Sequence, residues 1–141
     1  MGKILCATRG GEASYRTQDA AIVLAKERGD ELLFLFVVDT HFLDKAGRAV
    51  RPDVVAEEMG HMGEFLLAMA QERAQKQGVA ADYLLRRGEF RDELKAAARE
   101  EGVGLVVLGR PSGAESAFVP AALEAFAAEI EAETSVEVVI V

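Results

Sequence analysis

The chain has 141 residues, of which 50% are apolar and 28% carry a charged side chain. This length and composition are typical of one folded domain and not of a disordered protein, which has few apolar residues and a high net charge. The 16 Lys and Arg against 24 Asp and Glu give a net charge of −8. That balance disfavours a nucleic-acid partner, because such affinity depends on cations that neutralise phosphates. A single cysteine excludes an internal disulfide, and no zinc-type spacing of Cys and His is present.

No segment of the sequence has the pattern of a targeting peptide or a membrane span. The apolar run at 3–8 is too short for a signal peptide. No apolar run approaches the roughly 18 residues that a membrane helix needs. We therefore expect a cytoplasmic protein with no membrane partner, folded as a single domain over residues 1–141.

Strands and helices are predicted to alternate along the whole chain. Unbroken apolar runs such as 31–38 and 104–109 are typical of central parallel strands covered on both faces. The alternation predicts a parallel sheet between two helix layers, joined by right-handed crossovers. The predicted strands are 3–8, 31–38, 81–87, 104–109 and 136–141, and the predicted helices are 15–28, 53–77, 90–101 and one that begins at Pro120.

The sequence also predicts where the first helix begins and which helix faces are buried. Ser14 is the predicted cap of the first helix. Apolar residues at spacings of three and four predict one buried stripe on each helix. The predicted inward residues are Ala20, Ala21, Leu24 and Ala25 in the first helix, Val55, Met59, Met62, Leu66 and Met69 in the second, Leu94, Ala97 and Ala98 in the third, and Leu123, Phe126, Ala127 and Ile130 in the fourth.

Four short sequences at the strand ends carry a family resemblance. They are Ile4-Leu5-Cys6-Ala7-Thr8 followed by Gly10 and Ser14, Phe36-Val37-Val38-Asp39, Arg87-Gly88-Glu89, and Leu105-Val106-Val107-Leu108-Gly109-Arg110. In this order and spacing they resemble the universal stress protein family over the whole chain. The resemblance implies a three-layer α/β/α sandwich with a five-stranded parallel sheet in the order 3-2-1-4-5, an adenine-nucleotide alpha-hydrolase-like architecture. It also implies a stress-linked regulatory role rather than established catalysis, and homodimers commonly paired through the final strand.

The final strand independently favours a homodimer. It is apolar at Val136, Val138, Val139 and Ile140, and Glu137 is its only charge. An apolar strand at an open sheet edge invites pairing with another chain. The alternative is that this segment lies on its own helices without a partner.

A ligand site is expected where the strand order reverses. In open α/β sheets ligands bind outside the carboxyl ends of the strands at that point, which in the order 3-2-1-4-5 lies between the first and fourth strands. The resemblance assigns ligand binding to Ala7, Thr8, Arg9, Val38, Asp39, Gly109, Arg110, Ser112 and Gly113.

The sequence departs from the ATP-binding pattern of the family at this site. ATP-binding members carry an acidic residue after the first strand, where this chain has Arg9. After the fourth strand they carry Gly, two residues, Gly, nine residues, and then Gly with Ser or Thr. Here Ser112 takes the second glycine position, Gly113 comes one place late, and counting onward reaches Ala122 or Leu123. We predict that the usual ATP mode is lost, as in the family's non-ATP-binding branch.

Two arginines at the strand ends suggest another ligand. Arg9 and Arg110 follow the two strands that flank the switch point, so their guanidinium groups are hypothesised to converge on one anion, such as a phosphate or AMP. Ser112 and the backbone N–H groups of Gly10, Gly11 and Gly113 would complete that pocket. In the alternative interpretation the arginines pair with Glu12 and Asp39 or extend into water. Residues 115–141 hold six acids and no Lys or Arg, so an anionic ligand must avoid that face.

Several residues have side chains that could act in catalysis or bind a metal, but each has a simpler interpretation. His61, with Glu57 and Glu64 on the same helical face, is interpreted as part of a solvated surface. Cys6 lies within an apolar strand and is expected to be buried and unreactive. His41 is interpreted as a loop residue that can join the switch-point pocket.

Two functional hypotheses follow from different classes of protein. The favoured one is a non-catalytic, homodimeric regulatory domain that acts through contacts with an unidentified protein partner. The alternative is a module that binds ATP, AMP or another anion in the crevice between the first and fourth strands. An enzyme with its own nucleophile or metal comes third.

Overall fold

A computed structural model describes residues 2–9, 12–41, 43, 51–110 and 120–141 of the chain. Nine elements alternate along these ranges, as the apolar patterns predict. The strands are β1 (Lys3–Ala7), β2 (Glu31–Val38), β3 (Ala81–Arg87), β4 (Leu105–Leu108) and β5 (Glu137–Ile140), and the helices are α1 (Glu12–Arg28), α2 (Pro52–Lys76), α3 (Phe90–Glu100) and α4 (Pro120–Thr134).

The five strands form one parallel sheet in the order β3-β2-β1-β4-β5, which confirms the predicted fold. β1 lies between β2 and β4, with Cys6 level with Phe34 on one side and Val107 on the other. The inner strands are buried on both faces, which explains why their apolar runs are continuous rather than alternating. β3 and β5 form the two edges.

Two hydrophobic cores lie on opposite faces of the sheet. One joins the sheet to α1 and α2 and includes Ile4, Phe34 and Leu67. The other joins it to α3 and α4 and includes Leu5, Leu94 and Ile130. Successive strand residues therefore serve opposite cores, as the period of two requires.

The prediction for α1 was wrong at its start and on part of its buried face. The helix begins at Glu12, so Ser14 lies inside it rather than capping it. Thr17 and Gln18 are buried and Ala20 is only half-buried, whereas Leu24 is half-buried and packs against the core as predicted. Ala21 and Ala25 are buried as predicted. The error has a physical reason, because a search for apolar residues passes over buried polar ones.

The predicted apolar stripe of α2 was correct only in part, since Met59 and Leu66 are half-buried and pack against the core. The buried face consists mainly of small residues, and Met62 is 55% exposed. A Cβ atom at Gly63 would lie 2.7 Å from Cε1 of Phe36, so glycine allows the helix to approach the sheet closely. The buried residues of α2 are Gly60, Gly63, Leu67, Ala70 and Ala74.

The other predicted strands and helices are present, with small shifts at their ends. Pro120 begins α4 as predicted, and β1, β4 and β5 are each shorter than predicted. None of the helices in the described ranges combines the length and hydropathy that a bilayer crossing requires. The predicted inward residues of α3 and α4 are all buried except Leu123, which is half-buried.

Candidate functional site at the carboxyl end of the sheet

The carboxyl ends of β1 and β4 lie side by side at the point where the strand order reverses. From β1 the chain continues into α1 on one face of the sheet, and α4, which follows β4 in the chain, packs on the other face. The helices that follow β1 and β4 thus lie on opposite faces of the sheet, and this is the geometry that opens a crevice in doubly wound sheets. The described residues at this point are Ala7, Thr8 and Arg9 after β1, and Gly109 and Arg110 after β4.

Thr8 is a buried structural residue at the rim of this crevice. It is 3% exposed, and its N–H donates to the Leu35 carbonyl at 2.8 Å. Its Oγ1 accepts a hydrogen bond of 2.7 Å from the Gln18 side-chain amide. These contacts fix the path of the chain as it leaves β1.

Arg9 is exposed and stacks on an aromatic ring. Its N–H donates to Oγ of Ser14 at 3.0 Å, so Ser14 anchors the turn into α1. Its guanidinium carbon lies 4.7 Å from the centre of the Phe90 ring, within the range of a cation–π interaction. Phe90 in turn contacts Phe126, with ring centres 6.1 Å apart. Arg9 is thus held on the α3 side of the crevice.

Asp39 joins the end of β2 to the start of α3. One carboxylate oxygen accepts the His41 N–H at 3.0 Å and the other accepts the Phe90 N–H at 2.9 Å. The N–H of His41 lowers the pKa of this carboxyl below its ordinary value, and the N–H of Phe90 lowers it further. Asp39 therefore satisfies a free N–H in the first turn of α3 and positions the ring on which Arg9 stacks.

The end of β4 is closely packed and tied to the end of the chain. A Cβ atom at Gly109 would overlap the side chain of Thr17, so a larger residue does not fit there. The Arg110 N–H donates to the Val141 carbonyl at 2.9 Å, and the Arg110 carbonyl accepts from Arg16 at 3.0 Å. The side chain of Arg110 is exposed.

A pocket of about 230 Å³ lies beside the crevice, at the carboxyl ends of β2 and β3. It is lined by residues 38–41 after β2, by Ala56 of α2 and by residues 87–89 after β3. The predicted site residues Val38 and Asp39 thus line this pocket, and so does His41, which the sequence placed in the loop.

A buried polar chain links this end of the sheet to α2, and the sequence analysis missed it. Gln18 is 2% exposed and bridges Thr8 to Arg73, whose guanidinium donates to Gln18 Oε1 at 2.6 Å. Arg73 also pairs with Asp19 and lies 4.8 Å from the centre of the Tyr15 ring. The sequence signal that could have predicted these contacts is a pair of adjacent polar residues on the inward side of α1, Thr17 and Gln18.

Part of the predicted site lies outside the described residues. This holds for Gly10, Gly11, Ser112 and Gly113, and for most of the loop over 39–52. The structure brings Thr8 and Arg9 close to the ends of β2 and α3. The predicted convergence of Arg9 and Arg110 on one anion stays a prediction. In the described part of the chain Arg9 lies against the Phe90 ring and forms no ion pair with an acidic residue.

The other candidate reactive or metal-binding residues have the burial that the sequence predicts. Cys6 is fully buried, and burial raises the pKa of its thiol to about 12, so it is no nucleophile at neutral pH. His61, Glu57 and Glu64 are exposed along α2.

Comparison with known proteins identifies the family. The fold and its switch-point crevice define a doubly wound α/β protein of the kind that binds ligands at strand ends. The family model described as the universal stress protein family matches residues 1–141, and the chain belongs to that family.

Named relatives agree with this assignment. Universal stress protein YxiE of Bacillus subtilis is 33% identical over 125 residues, which cover 77% of this chain and 78% of that protein. A universal stress protein family structure from Burkholderia pseudomallei is 24% identical with a TM-score of 0.77, covering 99% of this chain and 95% of its own. A universal stress protein solved in complex with cAMP is 19% identical with a TM-score of 0.69, covering 99% and 96%. At these identities the two structures bear on the fold alone.

Proposed function

We propose that this stress-response domain is a non-catalytic regulatory protein that works as a homodimer paired through β5, without the family's usual ATP site. The observation that carries the proposal is that β5 is an edge strand, unpaired on one side in the described part of the chain, and is apolar apart from Glu137. An edge of this kind is a template for pairing with another strand.

Two residues of β5 direct their backbone hydrogen-bonding groups away from β4, and one of the donors is already bonded to a side chain. Val141 donates its N–H to Leu108 and accepts from Arg110, so both of its backbone groups point towards β4. Because successive residues of a strand direct their backbone groups to opposite sides, Val138 and Ile140 direct theirs to the open edge. The Val138 N–H donates to a carboxylate oxygen of Glu131 at 3.1 Å. Glu131 thus competes with a second strand for this donor.

This arrangement gives the proposal a test. We expect Glu131→Ala to strengthen the dimer, because it frees the Val138 N–H, and Ile140→Pro to weaken it, because it removes an edge donor while leaving the β4 ladder intact. Sedimentation velocity over a concentration series measures both changes against Glu124→Ala, which alters an exposed acid of the same helix. A monomeric wild type, or dimers of equal strength in all variants, would contradict pairing through β5.

The absence of catalysis is supported by the residues at the strand ends. Arg9 stands where ATP-binding relatives have an acid and is held on Phe90. The chain's only thiol is buried and protonated. ATP hydrolysis by the purified protein above the rate in protein-free buffer would contradict this part of the proposal.

A second candidate function is the binding of a nucleoside monophosphate or cyclic nucleotide. The pocket beside Val38 and Asp39 favours it, since it adjoins the crevice and has room for a small ligand. The cAMP complex of a structural neighbour supports it by analogy of fold.

Filling the pocket tests this candidate. Ala56→Leu places a larger side chain in the lining, whereas Ala68→Leu makes the same change at an exposed position of α2. Calorimetric titration with AMP and cAMP should show binding by the wild type and by Ala68→Leu that Ala56→Leu loses. Equal affinities in all three proteins, or no binding by the wild type, would rule this pocket out.

A further inference from the structure

In the described ranges, the exposed large apolar side chains all lie on the α1–α2 side of the sheet. Two belong to α1, three belong to α2, and the sixth, Tyr83, is on β3. Tyr83 shares its face of the sheet with Ala81 and Leu85, which pack into the α1–α2 core. Within the described ranges the α3–α4 layer exposes none. The six residues are Tyr15, Val23, Val54, Met62, Phe65 and Tyr83.

Three apolar residues form a ridge along the outer face of α2. Met62, Phe65 and Met69 are spaced by three and four residues, so they are neighbours on the helix surface. Phe65 is 65% exposed and Met62 is 55% exposed. The buried face of α2, around Gly63 and Leu67, lies on the opposite side of the helix, so the ridge has no role in the core.

Acidic residues border the ridge at both ends. Glu58 lies one turn before Met62, and Glu72 lies one turn after Met69. In the described part of the chain Glu58 forms no ion pair. Glu72 is held by Lys76 at 3.2 Å in a pair that is largely exposed to water. The nearby cation Arg73 is already bound to Asp19 and Gln18.

We propose that the α2 ridge, formed by Met62, Phe65 and Met69, binds a cationic amphipathic helix of a partner protein. Apolar side chains at helical spacing on the partner would pack on Phe65, and the flexible methionines would adapt to them. Lys or Arg residues beside those anchors would face Glu58 and Glu72. This inference rests on the proposed regulatory role and adds the chemistry of the partner.

The same charges disfavour two other occupants. If two copies of α2 packed antiparallel about Phe65, Glu58 of one would face Glu72 of the other. In a parallel pair each glutamate would face its own copy, so both arrangements bring like charges together. An anionic lipid surface is likewise repelled by the acidic border and by the net charge of −8.

Two designed peptides test the inference with the full chain. Both are helices of about 18 residues with Leu at i, i+3, i+4 and i+7, and the other positions are Lys in one and Glu in the second. Fluorescence anisotropy measures the binding of each labelled peptide. We expect the Lys peptide to bind the wild type and the Phe65→Ser variant to bind it at least about tenfold more weakly. The matched control Val23→Ser, which alters an apolar residue of α1 that is 53% exposed, should bind like the wild type.

Several results would overturn the inference. These are no binding of the Lys peptide, equal affinity for the two peptides, or an equal loss of affinity for the Lys peptide in Phe65→Ser and Val23→Ser. A change from dimer to monomer in Phe65→Ser would assign the ridge to a second copy, and Phe65-dependent binding to phosphatidylglycerol vesicles would assign it to a membrane. Should Phe65→Ser lower the melting temperature, Met62→Ser repeats the comparison. The β5 dimer is tested separately, by sedimentation velocity of Ile140→Pro. A failure of the ridge proposal can therefore be distinguished from a failure of the dimer proposal.

Discussion

Two glycines of α2 lie one turn apart on the buried face but differ in what surrounds them. At Gly63 an added Cβ would press against the buried ring of Phe36, whereas at Gly60 the nearest atom would be Nη2 of Arg87 at 3.5 Å. We expect Gly63→Ala to lower the free energy of unfolding by about 1–3 kcal/mol, because the core is overpacked. Gly60→Ala should raise it by up to about 1 kcal/mol, since alanine favours a helix. Urea unfolding measures both, and equal effects would show that Phe36 does not limit the helix position.

Asp39 gives a prediction that depends on pH. Its carboxylate accepts two backbone N–H groups, and Asp39→Asn would turn an amide donor towards one of them. We expect a loss of about 2 kcal/mol in the free energy of unfolding near pH 7. Because the pKa in the folded protein lies below the ordinary value of 3.8, the stabilisation is present above that value and is lost as the pH falls through the lowered pKa.

The difference between wild type and Asp39→Asn should therefore shrink below about pH 4. Thermal unfolding over a series of pH values measures this trend. If the stability difference between the two proteins stays constant below about pH 4, the charge of the Asp39 carboxylate contributes nothing to the link between β2 and α3.

Among the elements, α1 and α2 are joined by a polar contact that penetrates the core. Arg73→Met would leave the buried Gln18 oxygen without its donor, and we expect this to cost about 1–3 kcal/mol. Lys76→Met on the same helix breaks only an exposed pair with Glu72 and should change stability by less than about 0.5 kcal/mol. Chemical denaturation compares the two, and similar losses would show that Gln18 finds another partner.

The order and type of the elements could be predicted from the sequence because the apolar runs have clear lengths and boundaries. The burial of Leu94, Ala97 and Ala98 follows from their spacing alone. The face of α2 could not be predicted in this way, since its closest contacts use glycine and alanine, whose hydropathy is weak. Large side chains carry the strongest periodic signal, and in α2 that signal came partly from the exposed Met62.

The candidate site was only partly predictable, because its contacts join residues that are far apart in the sequence. The sequence singled out Arg9 and Asp39, but their contacts with Phe90 join residues 81 and 51 positions apart. No local pattern identifies such partners. The strand order that brings them together came from the family resemblance, because periodicity specifies strands but not their neighbours.

At the scale of the whole molecule, three surfaces are separated by the fold. The β5 edge lies at one side of the sheet, the crevice and pocket lie at its carboxyl end, and the α2 ridge lies on one helix layer. A dimer through β5 leaves the α2 ridge free, since α2 packs on β2 and β3 at the opposite side of the sheet. The proposed dimer and the proposed partner helix would therefore use different surfaces, so both could be bound at the same time.

Native mass spectrometry of the full chain, with and without millimolar ATP, would show both whether the chain dimerises and whether it retains ATP. We expect an assembly of twice the 15.2 kDa chain mass that gains no ATP. A monomer at all concentrations, or one retained ATP for each chain, would contradict it.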